Sequence, residues 1–320
     1  MPMRLLVILD PLPLIKTYKD STYAMMVEAA ARGHELFVCE QHELSLAGGR
    51  TMARVHPLRL VEAGAAGAAS WYALGEPRHE PVADFGAVLM RKDPPFDMEY
   101  VFSTYLLEHA VRLGARVFND PLAIRSHNEK LSIAEFPQFA APTLVTRSAD
   151  ELRAFVEEHD EAVFKLLDGM GGTSVFRAKR GDPNMSVIIE TLNQFGARTV
   201  MAQRFLPEIA EGDKRVLLIG GKVVPWCLAR IPKDGEFRGN LAAGGRGVAR
   251  ALSARDREIA EALAPVLAAR GLLLVGLDLI GDCITEINVT SPTCFQEIRQ
   301  QTGYDVAALF VDELEAACAR

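Results

Sequence analysis

Short apolar runs alternate with longer amphipathic stretches in roughly the first third of the chain, a pattern typical of strands followed by helices. It predicts one helix from Ser21, as N-cap, to Gly33 and another from Asp97 to a stop at Gly114. Strands are predicted at 4–9, 35–39, 87–91 and 116–119, with an irregular Ala/Gly-rich stretch between the second and third. This order predicts a parallel sheet that binds ligands at its carboxyl edge.

The pattern changes from about Leu122, where strands and helices predict a compact α+β unit. Ser148 and Glu151 have the spacing of a capping box at the start of a helix that ends near His159. Strands are predicted at 162–167, 174–178 and 199–205, and a second helix at 185–195.

The last third of the chain is predicted to hold two strands, a long polar loop, a helix, a hairpin and a C-terminal helix. In chain order the first five elements are predicted at 215–219, 223–229, 231–247, 253–270 and 276–290. The last segment is predicted to be helical, with an apolar face of Val306, Leu309, Phe310, Leu314 and Ala317. No internal repeat is visible, and no Gly-x-Gly-x-x-Gly motif follows the first strand, so the usual dinucleotide-binding fold is not supported.

Composition limits the class of protein. With 320 residues, of which 49% are hydrophobic, the chain is long enough for two or three domains. The net charge is −7 and the basic residues are scattered, so no nucleic-acid partner is expected. The first apolar run is too short for a signal peptide or a membrane span, and the five cysteines form no CxxC pair. We therefore expect a cytoplasmic protein with reduced thiols and no membrane partner.

The hairpin carries three side chains with hard oxygen atoms. Apolar residues alternate through Ile284, Ile287 and Val289, which places Glu286 and Asn288 on one face of the sheet. A three-residue loop at 281–283 would set Asp278 opposite Glu286. Two carboxylates and an amide carbonyl suit Mg²⁺, although the solvated face of an ordinary hairpin would look the same.

A glycine-rich turn directly follows a predicted strand that ends near Lys165. Glycines at 169, 171 and 172 let backbone amides approach phosphate oxygens, and Lys165 adds a positive charge. The turn is not a P-loop, since no Gly-Lys-Ser/Thr follows it, and a flexible hairpin turn is the alternative. Lys130, taken alone, would be a surface lysine.

The loop at 231–247 is rich in glycine and contains Arg238 and Arg246, a composition that cannot form a packed core. A loop of this length inside an enzyme is more often a functional lid than a linker, though disorder is the alternative. Arg215 and Arg230 lie on the two strands before it, where either could be a solvated strand charge.

Two further segments predict ligand contacts. The stretch from Gln203 to Leu206 ends a strand and leads to Asp213, where a hinge could present backbone groups to an adenine and a carboxylate to a ribose. Arg91 and Asp93 stand at the carboxyl edge of the first sheet before a rigid Pro-Pro turn, where a small anion would bind. Asp97 can be read more simply as an N-cap.

These residues, with the motifs at 90–97, 239–247 and 286–294, resemble the bacterial glutathione synthetases of the ATP-grasp superfamily. The resemblance covers nearly the whole chain, with 48–79 the least familiar part. It implies an α/β ATP-grasp fold with an N-terminal Rossmann-like parallel-sheet domain (1–124) and two α+β lobes (125–205 and 206–320) that enclose ATP. It also implies a homotetramer and the use of Mg²⁺, with Mn²⁺ as an alternative.

The resemblance further implies that γ-glutamylcysteine and glycine are joined through an acyl phosphate, with release of ADP and phosphate. Ligation by another ATP-grasp enzyme, of the D-alanine–D-alanine or glutamate ligase type, and a non-catalytic ATP-binding scaffold are the alternatives. The site residues fall into four groups: Lys130, Lys165, Gly169, Gly171, Gly172, Gln203, Leu206 and Asp213 for the nucleotide; Asp278, Glu286 and Asn288 for the metal; Arg215, Arg230, Arg238 and Arg246 for catalysis; and Arg91, Asp93, Arg230 and Ser291 for the substrate.

Overall fold

The computed structural model describes residues 2–61, 70–239, 241 and 244–319. The N-terminal part is a mixed sheet with helices on both faces. Its elements are β1 (Arg4–Ile8), α1 (Ser21–Ala31), β2 (Glu35–Cys39), β3 (Leu44–Ala47), β4 (Arg50–Leu60), β5 (Tyr72–Leu74), β6 (Arg78–Pro81), β7 (Ala87–Met90), α2 (Met98–Arg112), β8 (Val117–Phe118) and α3 (Pro121–Ser126).

The parallel core of this sheet follows the predicted β–α–β order, since β2, β1, β7 and β8 are adjacent and parallel. The stretch predicted to be irregular is instead largely β-structure, because β3, β4, β5 and β6 add an antiparallel extension through the pairing of β4 with β2. Residues 62–69 of that stretch lie outside the described residues. The prediction of Ser21 as N-cap is also wrong, because the side chain of Asp20 accepts the hydrogen bond from the Tyr23 amide.

The central lobe is an antiparallel sheet covered on one face by two helices. It contains β9 (Thr143–Thr146), α4 (Ala149–His159), β10 (Glu161–Leu166), β11 (Phe176–Lys179), α5 (Met185–Asn193) and β12 (Val200–Arg204), with strand order β11-β10-β12-β9. Ser148 caps α4 as predicted, but the capping box is incomplete because Glu151 accepts from the Thr146 hydroxyl instead. The predicted strand at 174–178 begins two residues late, since Ser174 has a φ of 56°.

The C-terminal lobe is a second antiparallel sheet, with strand order β15-β14-β13-β16-β17. Its elements are β13 (Asp213–Ile219), β14 (Lys222–Ile231), β15 (Arg246–Ala251), α6 (Ala254–Ala269), β16 (Leu274–Ile280), β17 (Cys283–Asn288), α7 (Phe295–Thr302) and α8 (Val306–Cys318). The predicted loop is shorter than 231–247, because Ile231 ends β14 while Arg246 and Gly247 begin β15.

Helices α1, α7 and α8 lie between the first sheet and the C-terminal sheet and share one apolar core with both. Arg32 of α1 fixes this packing, since its guanidinium binds Asp312, Glu315 and the carbonyl of Ala308 in α8. The central lobe has a separate core of its own. Within the described residues, no helix has both the length and the apolar content needed to cross a membrane.

Candidate functional site

A cleft of about 490 Å³ lies between the central lobe, the C-terminal sheet and the edge of the N-terminal sheet, and its volume is ordinary for a small-molecule site. Sixteen of the residues predicted from sequence line it. They are Asp93, Lys130, Lys165, Gly169, Gly171, Gly172, Gln203, Leu206, Asp213, Arg215, Arg230, Arg238, Asp278, Glu286, Asn288 and Ser291. Residues distant in sequence therefore converge on one site.

The hairpin of β16 and β17 sets Asp278 opposite Glu286, as predicted, but by a different device. The loop has two residues, since Ile280 pairs with Cys283, so the predicted three-residue loop is wrong. The pairing then shifts between Asp278 and Leu279, and Thr285 is the extra residue of a β-bulge. The bulge restores the odd spacing that brings the two carboxylates to one face.

Four neighbouring strands carry a row of charges across that face. Arg230 of β14 stands opposite Asp213 of β13, and Arg215, two residues along β13, stands opposite Asp278 of β16. Arg215 Nε donates to Asp278 Oδ1 at 2.5 Å and its Nη2 donates to Oδ2 at 3.0 Å. Arg230 Nη2 lies 2.5 Å from Asp213 Oδ2 and 2.8 Å from Asp278 Oδ2. The guanidinium groups are thus fixed by the sheet register itself.

Burial and pairing shift the carboxylate pKa values in opposite directions. Burial acts to raise the pKa of Asp278, but Arg215 and Arg230 outweigh it and hold this pKa well below its usual range. For Asp213 burial dominates over the attraction of Arg230, and it raises the pKa to about 6. Both groups are therefore ionised at neutral pH.

Two lysines converge on Glu286 from the central lobe and from the segment before it. Lys130 Nζ and Lys165 Nζ lie 3.8 Å and 4.0 Å from Glu286 Oε1, distances of ion pairs and not of hydrogen bonds. The Ile287 amide donates to the Glu129 carbonyl at 2.7 Å, which places Lys130 along the edge of β17. Lys130 is buried, so its interpretation as a surface lysine is wrong.

The two lysines differ in electrostatic environment. Burial lowers the pKa of Lys165, whose ammonium also donates to Gln203 Oε1 at 2.8 Å. Burial acts in the same direction on Lys130, but Glu286 and Glu129 outweigh it and raise its pKa. Perturbed pKa values of this kind cluster at functional sites.

The glycine-rich turn forms one wall of the cleft. Gly171 and Gly172 have φ values of 61° and 79°, which side chains other than glycine rarely adopt. Lys130 Nζ donates to the Gly169 carbonyl at 2.5 Å, so this lysine also holds the turn in place. The turn is therefore a structured loop at the cleft.

The predicted lid crosses the same cleft at 232–245, of which residues 240, 242 and 243 lie outside the described residues. Arg238 Nη1 donates to the Gly172 carbonyl at 3.0 Å, and its Nη2 binds Glu236 at 2.6 Å. Gly239 packs so closely that a Cβ added to it would lie 2.3 Å from the Arg230 carbonyl oxygen. Arg246, by contrast, is exposed at the start of β15 and does not line the cleft.

The hinge after β12 brings apolar side chains into the cleft. Phe205, Leu206 and Ile209 line it together with Ile280. The Phe205 amide donates to the Glu161 carbonyl at 3.0 Å, so it is already used within the lobe. This part of the cleft suits a planar apolar group such as a base.

The substrate residues predicted on the first sheet differ in position. Asp93 lines the cleft and accepts from the Ser291 hydroxyl, which joins the N-terminal part to the loop after β17. Arg91 lies behind that loop, because its Nε donates to Thr22 Oγ1 and its Nη2 to the Pro292 carbonyl. Arg91 thus supports the loop and does not reach the cleft.

Some cleft residues were missed by sequence reasoning. Glu129 directly precedes Lys130, and Val163 and Ile280 lie two residues from Lys165 and Asp278 on the same strands. Their proximity to predicted ligand residues is the sequence signal that could have identified them. Lys19, Asp20 and Glu297 also line the cleft, but helix starts give no sequence signal of a ligand site.

Comparison with known proteins gives a consistent assignment. Residues 3–125 match the family model of the prokaryotic glutathione synthetase N-terminal domain, and residues 129–303 match that of the prokaryotic glutathione synthetase ATP-grasp domain. The chain is 59% identical to a glutathione synthetase of Ralstonia nicotianae, over 99% of this chain and 97% of that protein. It is 57% identical to a glutathione synthetase of Nitrosomonas europaea, over 99% of each chain.

Solved structures share the fold at low sequence identity. The D-cycloserine synthetase DcsG aligns with a TM-score of 0.69 and 16% identity, over 98% of this chain and 99% of that one. The ATP-grasp ligase PsnB, solved with a precursor peptide and AMPPNP, aligns with a TM-score of 0.64 and 18% identity, over 99% of this chain and 98% of that one. The predicted fold, the family resemblance and the class of ATP-dependent ligase are confirmed. The chain belongs to the prokaryotic glutathione synthetase family of ATP-grasp enzymes.

Proposed function

We propose that the protein joins γ-glutamylcysteine to glycine with hydrolysis of ATP, through an acyl phosphate on the dipeptide carboxylate. One arrangement carries this proposal: Arg215 and Arg230 face the carboxylates of Asp278 and Glu286 in a cleft that also holds two buried lysines and a glycine-rich turn. Such a cleft combines cationic groups for phosphates with oxygen ligands for a divalent cation.

ATP would lie along the cleft with its base at the hinge and its phosphates at the charged row. Leu206 and its apolar neighbours would contact the adenine, and Asp213 would bind the ribose. Lys130, Lys165 and the amides of Gly169, Gly171 and Gly172 would bind the phosphate oxygens. Gln203, which accepts from Lys165, would orient that ammonium.

The donor set fits Mg²⁺, or Mn²⁺, at Asp278, Glu286 and Asn288. Asn288 Nδ2 donates to Asp278 Oδ2 and to the Gly276 carbonyl, both at 3.2 Å, so the amide is oriented with its oxygen free of these bonds. Among the described residues, Glu286 has only the two long ion pairs, and Asp278 Oδ1 accepts one bond, from Arg215, which leaves a lone pair. The bound cation would neutralise phosphate charge.

The side chains of this protein would then act in two stages. A carboxylate is a poor electrophile, so a substrate carboxylate oxygen first attacks the γ-phosphorus and ADP departs, while the two lysines balance the charge on the transferred group. The glycine amine next attacks the carbonyl carbon of the acyl phosphate, the nitrogen loses a proton, and phosphate leaves with the bonding electrons. Arg215 and Arg230 stabilise the oxyanion and the departing phosphate, because the sheet holds both guanidinium groups at the cleft.

The remaining predicted residues would bind and enclose the substrate. Asp93 and Ser291 would contact the dipeptide directly, and Arg91 would act by supporting the loop that carries Ser291. The lid at 232–245, with Arg238 as its cleft contact, would exclude water from the acyl phosphate. Arg246 could take part only after movement of the start of β15.

We also propose a cytoplasmic location and a homotetramer, which remain predictions from the sequence and the family. The domain limits 1–124, 125–205 and 206–320 likewise remain predictions, and the existence of three separate sheets supports them.

The direct test is ADP formation by the purified protein with ATP, Mg²⁺, glycine and a panel of dipeptides and amino acids. We expect turnover with γ-glutamylcysteine and glycine, and little with pairs of D-alanine or with glutamate. Preference for either of those would instead indicate another ATP-grasp ligase. Nucleotide binding without turnover on any pair would indicate a non-catalytic scaffold.

Replacement of Lys165 by Met should weaken ATP binding by about 10- to 100-fold, because a hydrogen bond from a charged group to phosphate is lost. Binding of the dipeptide alone should stay within about twofold, since its proposed contacts lie on the loop with Ser291. Calorimetry measures both affinities. Lys179→Met, at a lysine whose side chain is 60% exposed in the same lobe, is the matched control. Unchanged ATP affinity would remove Lys165 from the proposed phosphate site.

A further inference from the structure

Asp213 has one carboxylate oxygen in use and one without a partner. It begins β13 on the face that lines the cleft, where its Oδ2 accepts from Arg230 Nη2 at 2.5 Å. Its Oδ1 is buried and has no hydrogen-bond partner within the part of the chain that the structure describes. A buried acceptor without a donor is unfavourable, so an unpaired oxygen beside a ligand cleft indicates a donor on the ligand.

The other oxygen of Asp213, Oδ2, is connected through Arg230 to Asp278 in the proposed reaction centre. Arg230 Nη2 also lies 2.8 Å from Asp278 Oδ2, so Asp213, Arg230 and Asp278 form a continuous series of charged hydrogen bonds. A guanidinium is a rigid planar group, and its second partner therefore depends on how the first one holds it. Any change at Asp213 is transmitted to the carboxylate proposed to hold the metal.

The residues around Asp213 indicate the donor. Along the chain it lies between Leu206 of the apolar hinge and Arg215 of the charged row, and all three residues line the cleft. A nucleotide placed as proposed above has its sugar between base and phosphates, so a ribose hydroxyl meets Asp213 Oδ1. This step rests on the proposed nucleotide site.

We infer that Asp213 is a positioning residue, which uses a ribose hydroxyl to fix Arg230 and, through Arg230, Asp278 in the reacting geometry. With the hydroxyl bound, both oxygens of Asp213 are satisfied and the carboxylate is held in one orientation. Without it, either oxygen of Asp213 can take the bond from Arg230, so the carboxylate and the guanidinium are held less firmly in the orientation that the structure shows. The ribose contact therefore affects turnover as well as nucleotide affinity.

The first test compares ATP with 2′-deoxy-ATP and 3′-deoxy-ATP on the unaltered protein. At saturating nucleotide, we expect kcat to fall about tenfold or more with at least one deoxynucleotide, since a charged hydrogen bond that orients Arg230 is lost. If both deoxynucleotides raise KM and leave kcat unchanged, Asp213 only anchors the sugar and the inference is wrong. This comparison needs no variant, so it does not depend on the stability of one.

The second test uses Asp213→Asn, which offers one acceptor oxygen to two donors, Arg230 and the ribose. We expect kcat with ATP to be already about tenfold lower and the three nucleotides to differ by less than about twofold. Asp150→Asn, at a carboxylate whose side chain is 98% exposed, is the control. It should show the same ratios of kcat between ATP and the deoxynucleotides as the unaltered protein. The inference would be contradicted if kcat of Asp213→Asn still differed between ATP and the deoxynucleotides as much as kcat of the unaltered protein does.

Calorimetric titration with each nucleotide, in the absence of acceptor substrates, gives a measurement that does not depend on activity. We expect the affinities for ATP and for the deoxynucleotides to differ less in Asp213→Asn than in the unaltered protein. Failure of the unaltered protein to ligate with ATP would contradict the proposed function, whereas ligation without any effect of the ribose hydroxyls on kcat would contradict only this inference.

Discussion

Glu286→Gln should lower turnover by about two to three orders of magnitude, the scale observed when one preorganised electrostatic group is removed from a reaction centre. Glutamine keeps the shape of the side chain but removes the charge that balances Lys130 and Lys165 at 3.8 Å and 4.0 Å. It also removes an anionic oxygen from the proposed Mg²⁺ site. The measurement is the rate of ADP formation at saturating substrates and Mg²⁺.

The matched control for this variant is Asp282→Asn, which changes the same charge on the exposed turn of the same hairpin. We expect it to keep nearly full activity and to unfold at the same temperature as Glu286→Gln. Near-normal turnover of Glu286→Gln at saturating Mg²⁺ would show that this carboxylate is neither a metal ligand nor a required counter-charge.

The hairpin illustrates how much of this site is predictable from sequence. Period-two spacing places Glu286 and Asn288 on one face, and the structure agrees. The predicted loop length was wrong because a β-bulge at Thr285, and not the turn, supplies the extra residue. The sequence does contain the signal, since Ile284 and Ile287 are both fully buried although they are three residues apart. An apolar spacing of three within a strand pattern indicates a bulge.

Predictions based on pairing between distant segments were less complete. Short apolar runs in the sequence identified β1, β2 and β7, because each of these strands is a nearly continuous buried run. Strands β3, β5 and β6 were not predicted, because each is only three or four residues long, has at most one buried position and depends on pairing with β4. The local amino-acid composition does not show which strands are stabilised by pairing with distant segments.

The long side chains were the hardest to place. Sequence patterns locate the Cα of Arg91 at the carboxyl edge of the first sheet, which is correct, but not the direction of its guanidinium. That direction depends on Thr22 and on the Pro292 carbonyl, which lie far away along the chain. Charged row residues such as Arg215 were better predicted, because strand register fixes both the position and the face.

Gly239→Ala should reduce ligation by about 100-fold, because displacement of a closing segment by about 1 Å is enough for such a loss. The Cβ would lie 2.3 Å from the Arg230 carbonyl oxygen and 3.1 Å from the Asp213 Cβ, so the lid could not rest on the sheet. Water would then reach the acyl phosphate. We expect ADP release to exceed peptide formation, measured by coupled ADP detection and chromatographic quantification of the tripeptide.

Gly247→Ala is the control for this variant, since its Cβ would meet only the side chain of Leu228 at 3.1 Å, which can move aside. Replacement of 232–245 by a short glycine linker should repeat the uncoupling while ATP binding persists, because the described residues of the lid belong to no strand and no α-helix. Limited proteolysis gives an independent reading: ATP, Mg²⁺ and dipeptide should slow cleavage within 232–245 in the unaltered protein and not in Gly239→Ala. Equal cleavage of the unaltered protein with and without ligands would contradict a lid, since ordering over the reaction centre is the event that protects both the intermediate from water and the backbone from protease.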